Sequence, residues 1–543
     1  MLRSSAAPLF AALIVSGGAA AQSAPPAVPP ASTAAAAPAG PRFLVKSYRI
    51  EGENPLGPAR AAAVLAPFTG DGVALEGLQS AAEALERALH EAGFGFYRVV
   101  LPPQDSVGEV RLRVLAFTVG EVSVKNQIFV SVANVRASLP ALKEGTSPNT
   151  FVLARDLALA NENPARRIVT AFRPGQKPDT VDASLEVTDS RPLTGFAQFA
   201  NTGTPATGMG RITLGASHAN LFGRDHQLTG TYTTSTEYPE KVDQWGAFYR
   251  APVYGVGGMF SAYYTRSNVA SGSAAGVAIT GGGTFAGLQY TQYFAPRGDY
   301  RDYVTLGWDD KQFDNSVKVA GRAFGTCDRI ASRPLTATYL GRYEGAAATL
   351  SFNIDWVQNL PGGSNNSQSA YDRCNPPADA SRNLSADWMA WRFAAETIWR
   401  VHGDWSLSGR VRAQHAGQSL IAGEKFGAGG ASSVRALPER ALIGDTGHTA
   451  SVEVWTPPLW EGLRVLGFYD QGRVRTREPA PGATAIESVG SVGFGLRWQY
   501  KAQLAVALDY GVVILGHAPS NAASAPQNTR GRDRMHVNLT LRF

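Results

Sequence analysis

The chain has 543 residues, 44% of them hydrophobic and only 17% charged, with 58 glycines, two cysteines and a net charge of +6. No apolar run reaches the roughly 18 residues of a membrane-spanning helix, no Lys/Arg cluster focuses the basic charge as nucleic-acid binding requires, and two cysteines are too few for a disulfide framework. A charged fraction well below the roughly 25% of soluble domains leaves a very large soluble protein or a transmembrane β-barrel, whose alternating strands show in no hydropathy window.

The first segment, "MLRSSAAPLFAALIVSGGAAAQS", has a basic start at Arg3, a short apolar stretch and small residues up to Ala21. This pattern predicts a signal peptide over residues 1–21, cleaved after Ala21. "APPAVPPASTAAAAPAGP" follows, within a Pro/Ala-rich linker over 22–42. It has too little large apolar surface to offset the entropy of ordering.

Two small mixed units come next, at 43–116 and 117–190. "FLVKSYRIEG" alternates apolar and polar residues as an edge-facing strand does. "LEGLQSAAEALERALHEAG" places Leu75, Leu78, Ala82, Leu85 and Leu89 on one helical stripe and stops at Gly93. "FYRVVLP" and "EVRLRVLAF" read as two further strands. The second unit nearly repeats this order with "FTVGEVSVKN", the helical "FVLARDLALANEN", and the strands "RRIVTAFRPG" and "TVDASLEVTD".

From Leu193 helical periodicity stops, and strand-like segments of about ten residues recur, the length of a tilted transmembrane strand. Sixteen are predicted, beginning near 193, 210, 226, 241, 256, 283, 301, 334, 346, 386, 404, 449, 463, 488, 502 and 535. Connections after even strands are short ("GRD", "VYG", "PRGD", "RYEG", "HGD", "PPLWEG", "QYK"). Most of those after odd strands are long, including 313–333, 359–385, 418–448 and 515–534. Short turns on one side and long loops on the other mark an outer-membrane barrel over 191–543. In the last strand, "MHVNLTLRF", Val537, Leu539, Leu541 and Phe543 point to lipid, and His536, Asn538, Thr540 and Arg542 to the lumen. Trp245, Tyr249, Tyr263, Tyr264, Trp388, Trp391 and Trp399 are candidates for the interfacial girdles. Cys327 and Cys374 fall in the long loops after strands seven and nine, which flank one hairpin, and this layout predicts a disulfide.

The local matches "HEAGFGFYRVVLPPQ" and "NENPARRIVTAFRPGQKPDTVDASLEVTD" resemble the paired POTRA domains of the two-partner secretion transporters, the haemolysin secretion/activation family (TpsB-type). The resemblance covers the chain beyond the linker and implies two α+β POTRA domains followed by a 16-stranded antiparallel barrel. In that family the sixth loop folds back into the lumen and carries a Val-Arg-Gly-aromatic motif, whose arginine meets an acidic residue in an F-x-D-x-G strand. Here Val434 and Arg435 match the first half, followed by Ala436 and Leu437 in place of Gly and the aromatic. "GFYDQGRV" supplies Phe468, Asp470 and Gly472. The resemblance therefore pairs Arg435 with Asp470, and Gly493 and Gly495 of the next strand are candidates for letting the loop approach. The terminal Phe543 after alternating residues resembles the signal read by the barrel assembly machinery.

The function implied is translocation of a large unfolded exoprotein (TpsA-like), a haemolysin, adhesin or contact-dependent toxin, through the outer membrane. The client's N-terminal secretion domain would be taken up by the POTRA units, physically by adding a strand to an open sheet edge. No nucleotide hydrolysis, cofactor or metal is implied. The eight histidines are scattered, and His-Glu-x-x-His, Gly-x-Ser-x-Gly and Walker patterns are absent, so no enzyme is expected. The glycine runs at 281 and 427 lack the strand-to-helix setting of a phosphate site. An outer-membrane assembly factor is the alternative, but such relatives usually carry three or more POTRA units, and only two fit between 43 and 189.

Overall fold

The computed structural model describes residues 42–543 except 106–107, 270–271, 275–276, 280–281, 315–317, 320–321, 324–328, 376–382, 480–483 and 517–528. The expected signal peptide and nearly all of the linker lie outside the described residues.

The first unit contains β1 (Arg42–Glu51), α1 (Pro58–Leu65), β2 (Gly70–Ala74), α2 (Leu75–Glu91), β3 (Tyr97–Val100) and β4 (Gly108–Ala116). Its sheet order is β2-β1-β4-β3. Strand β1 is thus central, not the edge strand its alternation suggests, pairing antiparallel with β2 and parallel with β4. Alternation reports that one face is wet, which a central strand of a one-sided sheet shares with an edge strand. Leu78, Ala82, Leu85 and Leu89 are buried as expected, while Leu75, at the first position of α2, is exposed. Gly93 ends α2 at φ 89°, where the missing Cβ lets the chain turn back.

The second unit has β5 (Thr118–Lys125), α3 (Val132–Ala137), α4 (Thr150–Ala160), β6 (Arg166–Pro174) and β7 (Thr180–Asp189), with sheet order β5-β7-β6. The short α3 carries too little periodicity to be read from sequence; Ser131 caps it by accepting from the Asn134 amide at 3.1 Å. Asn149 joins the two units: its Oδ1 caps α4 while its Nδ2 donates to the Ala92 carbonyl at 3.0 Å.

The barrel closes from sixteen strands, with the eighth broken in two at Arg333 ahead of Pro334. Strands one to eight are Leu193–Ala200, Arg211–Leu221, His226–Ser235, Gln244–Val253, Gly258–Ser267, Gly283–Tyr293, Tyr300–Asp314 and Arg329–Ser332 with Pro334–Glu344. Strands nine to sixteen are Ala348–Asn359, Met389–Arg400, Ser406–Ala416, Thr446–Trp455, Leu463–Arg475, Ile486–Tyr500, Leu504–Gly516 and Asp533–Arg542. Strand sixteen pairs with strand one, Asn538 opposite Ala200 and Arg542 opposite Phe196. The seam is extended at both ends. Below, Phe543 and Gly195 exchange backbone hydrogen bonds at 2.8 and 3.0 Å, and the Phe543 ring lies where a Cβ on Gly195 would sit. Above, where strand one has ended, the Asn201 side chain bridges the Met535 carbonyl and the Val537 amide at 2.8 and 2.9 Å.

The faces alternate as a barrel in lipid requires. Leu539, Leu541 and Phe543 are exposed on the outer face, with Val537 in the same phase, and His536 is buried inside. Of the candidate girdle residues, Trp245, Tyr264, Trp391 and Trp399 are exposed on the outside. Two are not in the girdle. Tyr263 points inward and donates to Asp309 at 2.8 Å, and Trp388 is fully buried in a cluster of the long loops with Tyr371, Leu384 and Leu420. Aromatic identity alone does not reveal which face a residue takes; its parity along the strand does.

Candidate functional site in the barrel lumen

The loop between strands eleven and twelve carries the site. Its arms form a hairpin, Phe426–Ala428 paired with Leu442–Gly444. The segment between them starts with Gly429 and Gly430 at φ 115° and 103°, conformations that exclude most side chains. The tip then packs Val434, Ala436 and Leu437 against Val474, Val489 and Val513 of the inner wall. This apolar contact, unusual in a wet lumen, removes each of these side chains from water, worth about 1.5–3 kcal/mol for a fully buried Val or Leu. A tight turn forms at the motif, with the Leu437 amide donating to the Val434 carbonyl at 3.1 Å. Ala436 is not among the positive-φ residues, so this turn needs no glycine, and Leu437 fills the apolar site in place of a ring.

Arg435 is 2% exposed and all of its guanidinium nitrogens are engaged. Nε and Nη2 donate to Oδ2 and Oδ1 of Asp470 at 2.9 and 2.7 Å, a bidentate fork, and the Arg435 amide reaches Oδ2 at 3.1 Å. Nη1 donates to Glu453 at 2.7 Å and lies 3.5 Å from Asp509. Ser451 donates to Asp470 at 2.7 Å and accepts from Nη2 at 3.1 Å. The Phe468 ring lies 3.4 Å beneath the guanidinium carbon. His536 of the last strand closes the cage, its Nε2 2.8 Å from the Arg435 carbonyl oxygen. One residue thus ties the loop to four strands, its cation to twelve, thirteen and fifteen and its carbonyl to sixteen. Such a buried pair fixes position more than it adds stability, because desolvation offsets much of the attraction.

Val434, Arg435, Phe468, Asp470 and Gly472 are brought together as the resemblance implies. A Cβ on Gly472 would stand 3.0 Å from Val434, and one on Gly511 would stand 3.1 Å from the Ala436 nitrogen, so these two glycines admit the loop. Gly493 and Gly495 do something else: they leave room for the Phe468 ring and for the Asp509 carboxylate.

A second buried charge, absent from the sequence expectations, holds the base of the loop. Glu424 accepts from Ser332 at 2.7 Å, Lys311 at 3.1 Å and Arg392 at 2.8 Å, on strands eight, seven and ten. The loop therefore spans the lumen between two groups of strands, bolted at both.

A third charged joint ties the second unit to the barrel. Arg166 on β6 meets Asp225, in the turn after strand two, at 3.0 Å with both side chains buried. Asn163 and Tyr254 also donate to Asp225 at 2.9 and 2.6 Å, and Asn134 to the Gly223 carbonyl at 2.9 Å. Burial and the neighbouring Asp225 carboxylate push the Tyr254 hydroxyl well above its ordinary pKa, so it stays a donor. Isolated charges such as Glu424 and Arg166 belong to no local pattern; only their lumen-facing or buried parity could have marked them.

Cys327 lies outside the described residues; Cys374 follows the short helix Gln368–Arg373 and packs against the loop cluster around Tyr371. Among the described residues no group of His, Cys, Asp and Glu is placed to hold a metal ion.

No curated protein matches the chain in sequence. In structure it is similar to CdiB from Escherichia coli, with TM-score 0.72 at 15% identity over 95% of this chain and 92% of that one. It is similar also to CdiB from Acinetobacter baumannii, with TM-score 0.69 at 17% identity over 93% and 90%. At these identities the likeness concerns the fold. Residues 43–116 match the ShlB-type POTRA domain, and residues 180–498 match the haemolysin secretion/activation protein family ShlB/FhaC/HecB. The chain belongs to that family: it is an outer-membrane β-barrel transporter of two-partner secretion, with its POTRA region in the periplasm.

Proposed function

We propose that the chain moves one large exoprotein, unfolded, through its own lumen, and that the sixth loop is the obstruction that must yield. The N-terminal secretion domain of the client adds as a strand to an open edge of the two N-terminal units. The client is then fed past the loop, and folding outside the cell gives direction without nucleotide hydrolysis or any catalytic chemistry. We assign residues 1–21 to a cleaved signal peptide, 22–42 to a linker and 117–190 to a second POTRA domain. The outward row Val537, Leu539, Leu541 and Phe543 is the segment read by the barrel assembly machinery, so deleting Phe543 lowers the amount of inserted barrel.

The observation that carries this reading is that the loop both occupies the lumen and is fixed there by removable polar contacts at Arg435 and Glu424. Locking the loop tests it. A Cβ at Gly472 would stand 3.0 Å from Cγ2 of Val434, the place a cysteine sulfur would take, so cysteines at the two positions bring their sulfurs within reach of a disulfide. In Val434→Cys/Gly472→Cys, secretion is expected to stop under oxidising conditions and to return with reductant, while the unmodified chain is unaffected by either. Full secretion from the oxidised variant would show that the client does not displace the loop.

A further inference from the structure

At the periplasmic rim beneath strands one to three, large apolar side chains stand exposed on two separate parts of the chain. Ile128 and Phe129, in the loop between β5 and α3, are 77% and 45% exposed, and Phe222, in the turn after strand two, is 80% exposed. The Ile128 loop is rigid: the amides of Ile128, Phe129 and Val130 all donate to the Asp189 carboxylate, at 3.0, 2.7 and 2.9 Å. A loop built this firmly to hold two apolar side chains in water has a surface made for contact.

Two tethers fix where that surface sits. Asp189 ends β7 just before strand one begins at Leu193, and Asn134 of α3 bonds to Gly223 beside Phe222. Leu193 pairs with His218, His218 with Leu228, and Leu228 with Tyr249, one row around the outer wall. Phe222 joins this outer face, its ring edge-on to His226 at 6.1 Å, and His226 in turn meets Tyr249 at 5.6 Å. Phe222 is thereby continuous with the lipid-facing wall, and the Asp189 and Asn134 tethers hold the Ile128 loop's unit to that same rim. Arg191 and Arg224, both exposed, lie next to the same two tethers, where lipid phosphates would meet them.

We propose that the second periplasmic unit rests on the periplasmic leaflet of the outer membrane, with Ile128 and Phe129 inserted beside Phe222 and with Arg191 and Arg224 at the phosphates. The unit is then held by the membrane as well as by the Arg166–Asp225 joint, which sets its sheet at a fixed angle beneath the lumen.

The test uses the full chain in vesicles of phosphatidylethanolamine and phosphatidylglycerol, with a polarity-sensitive fluorophore on Ile128→Cys or, as control, on Val169→Cys. Val169 is 54% exposed on β6 and bound to neither tether. The unmodified chain reports any labelling of the native cysteines. The expected result is a blue shift at position 128 and quenching by lipids spin-labelled near the headgroup, with neither at 169. A reporter on Val132→Cys loses its quenching when Ile128→Asp and Phe129→Asp are added. Position 128 behaving like 169 overturns the proposal. So does shielding at 128 that appears only when the exoprotein is present, which would make the surface a protein site.

Discussion

Arg435 and Asp470 are joined by three hydrogen bonds, two from the guanidinium and one from the Arg435 backbone amide. The backbone bond means that the carboxylate grips the loop's main chain as well as its charge. Arg435→Ala keeps that amide in place but leaves Asp470 and Glu453 buried beside no cation, at a cost of about 3–5 kcal/mol to the docked loop. Secretion is expected to fall while the barrel remains inserted and heat-modifiable on gels, because an undocked tip occupies the lumen without the one fixed position from which the client displaces it, and the pair does not hold the wall. Unchanged secretion would contradict the assignment. The exchange Arg435→Asp with Asp470→Arg is not expected to rescue, since an aspartate cannot reproduce the guanidinium fork.

Glu424→Gln releases the other end of the loop. Lys311 and Arg392 then face each other across strands seven and ten without their shared carboxylate. In planar bilayers the variant is expected to open to its larger conductance more often than the unmodified chain, and Arg435→Ala combined with it to do so more often still. Equal open probabilities would show that the base of the loop does not restrain the pore.

The joint beneath the barrel makes a separate prediction. Asp225→Ala strands Arg166 in a buried site, at a cost of about 3–5 kcal/mol. The second unit then swings away from the barrel, and proteinase K cuts the connection between Asp189 and Leu193 faster than in the unmodified chain, with insertion unchanged. An unaltered cleavage rate would mean that the remaining contacts of Asn134 and Asn163 suffice.

Much of this architecture was legible because a membrane barrel writes its constraints locally. Ten-residue alternation and the difference between short turns and long loops placed all sixteen strands within a few residues, strand four beginning at Gln244 against an expected 241 and strand twelve at Thr446 against 449. The Arg435–Asp470 pair was legible through a motif on each side. Glu453, Asp509, Ser451 and His536, which complete the cage, were not: each is one inward residue on its strand, and only the closed barrel and the folded-back loop bring them together. Glu424 and Asp225 were illegible for the same reason. Trp388 and Tyr263 show the limit of composition, since an aromatic ring suits a lipid interface and a loop core equally until its parity and depth are known.

The disulfide between Cys327 and Cys374 is expected to link the loops after strands seven and nine. Denatured, unreduced protein should then react with no thiol reagent and should migrate faster than reduced protein on gels. Two reactive thiols per chain would refute it. Cys374→Ser is expected to raise protease cleavage in both loops without altering the lumen.

The most direct measurement is the set of large secreted and surface exoproteins in a strain lacking this chain, with the outer-membrane protein profile read from the same cells. One large exoprotein is expected to vanish from the medium and surface while other barrels assemble normally, and to return when the full chain is restored. Continued secretion together with depletion of other barrels would contradict it, and would make the chain an assembly factor instead.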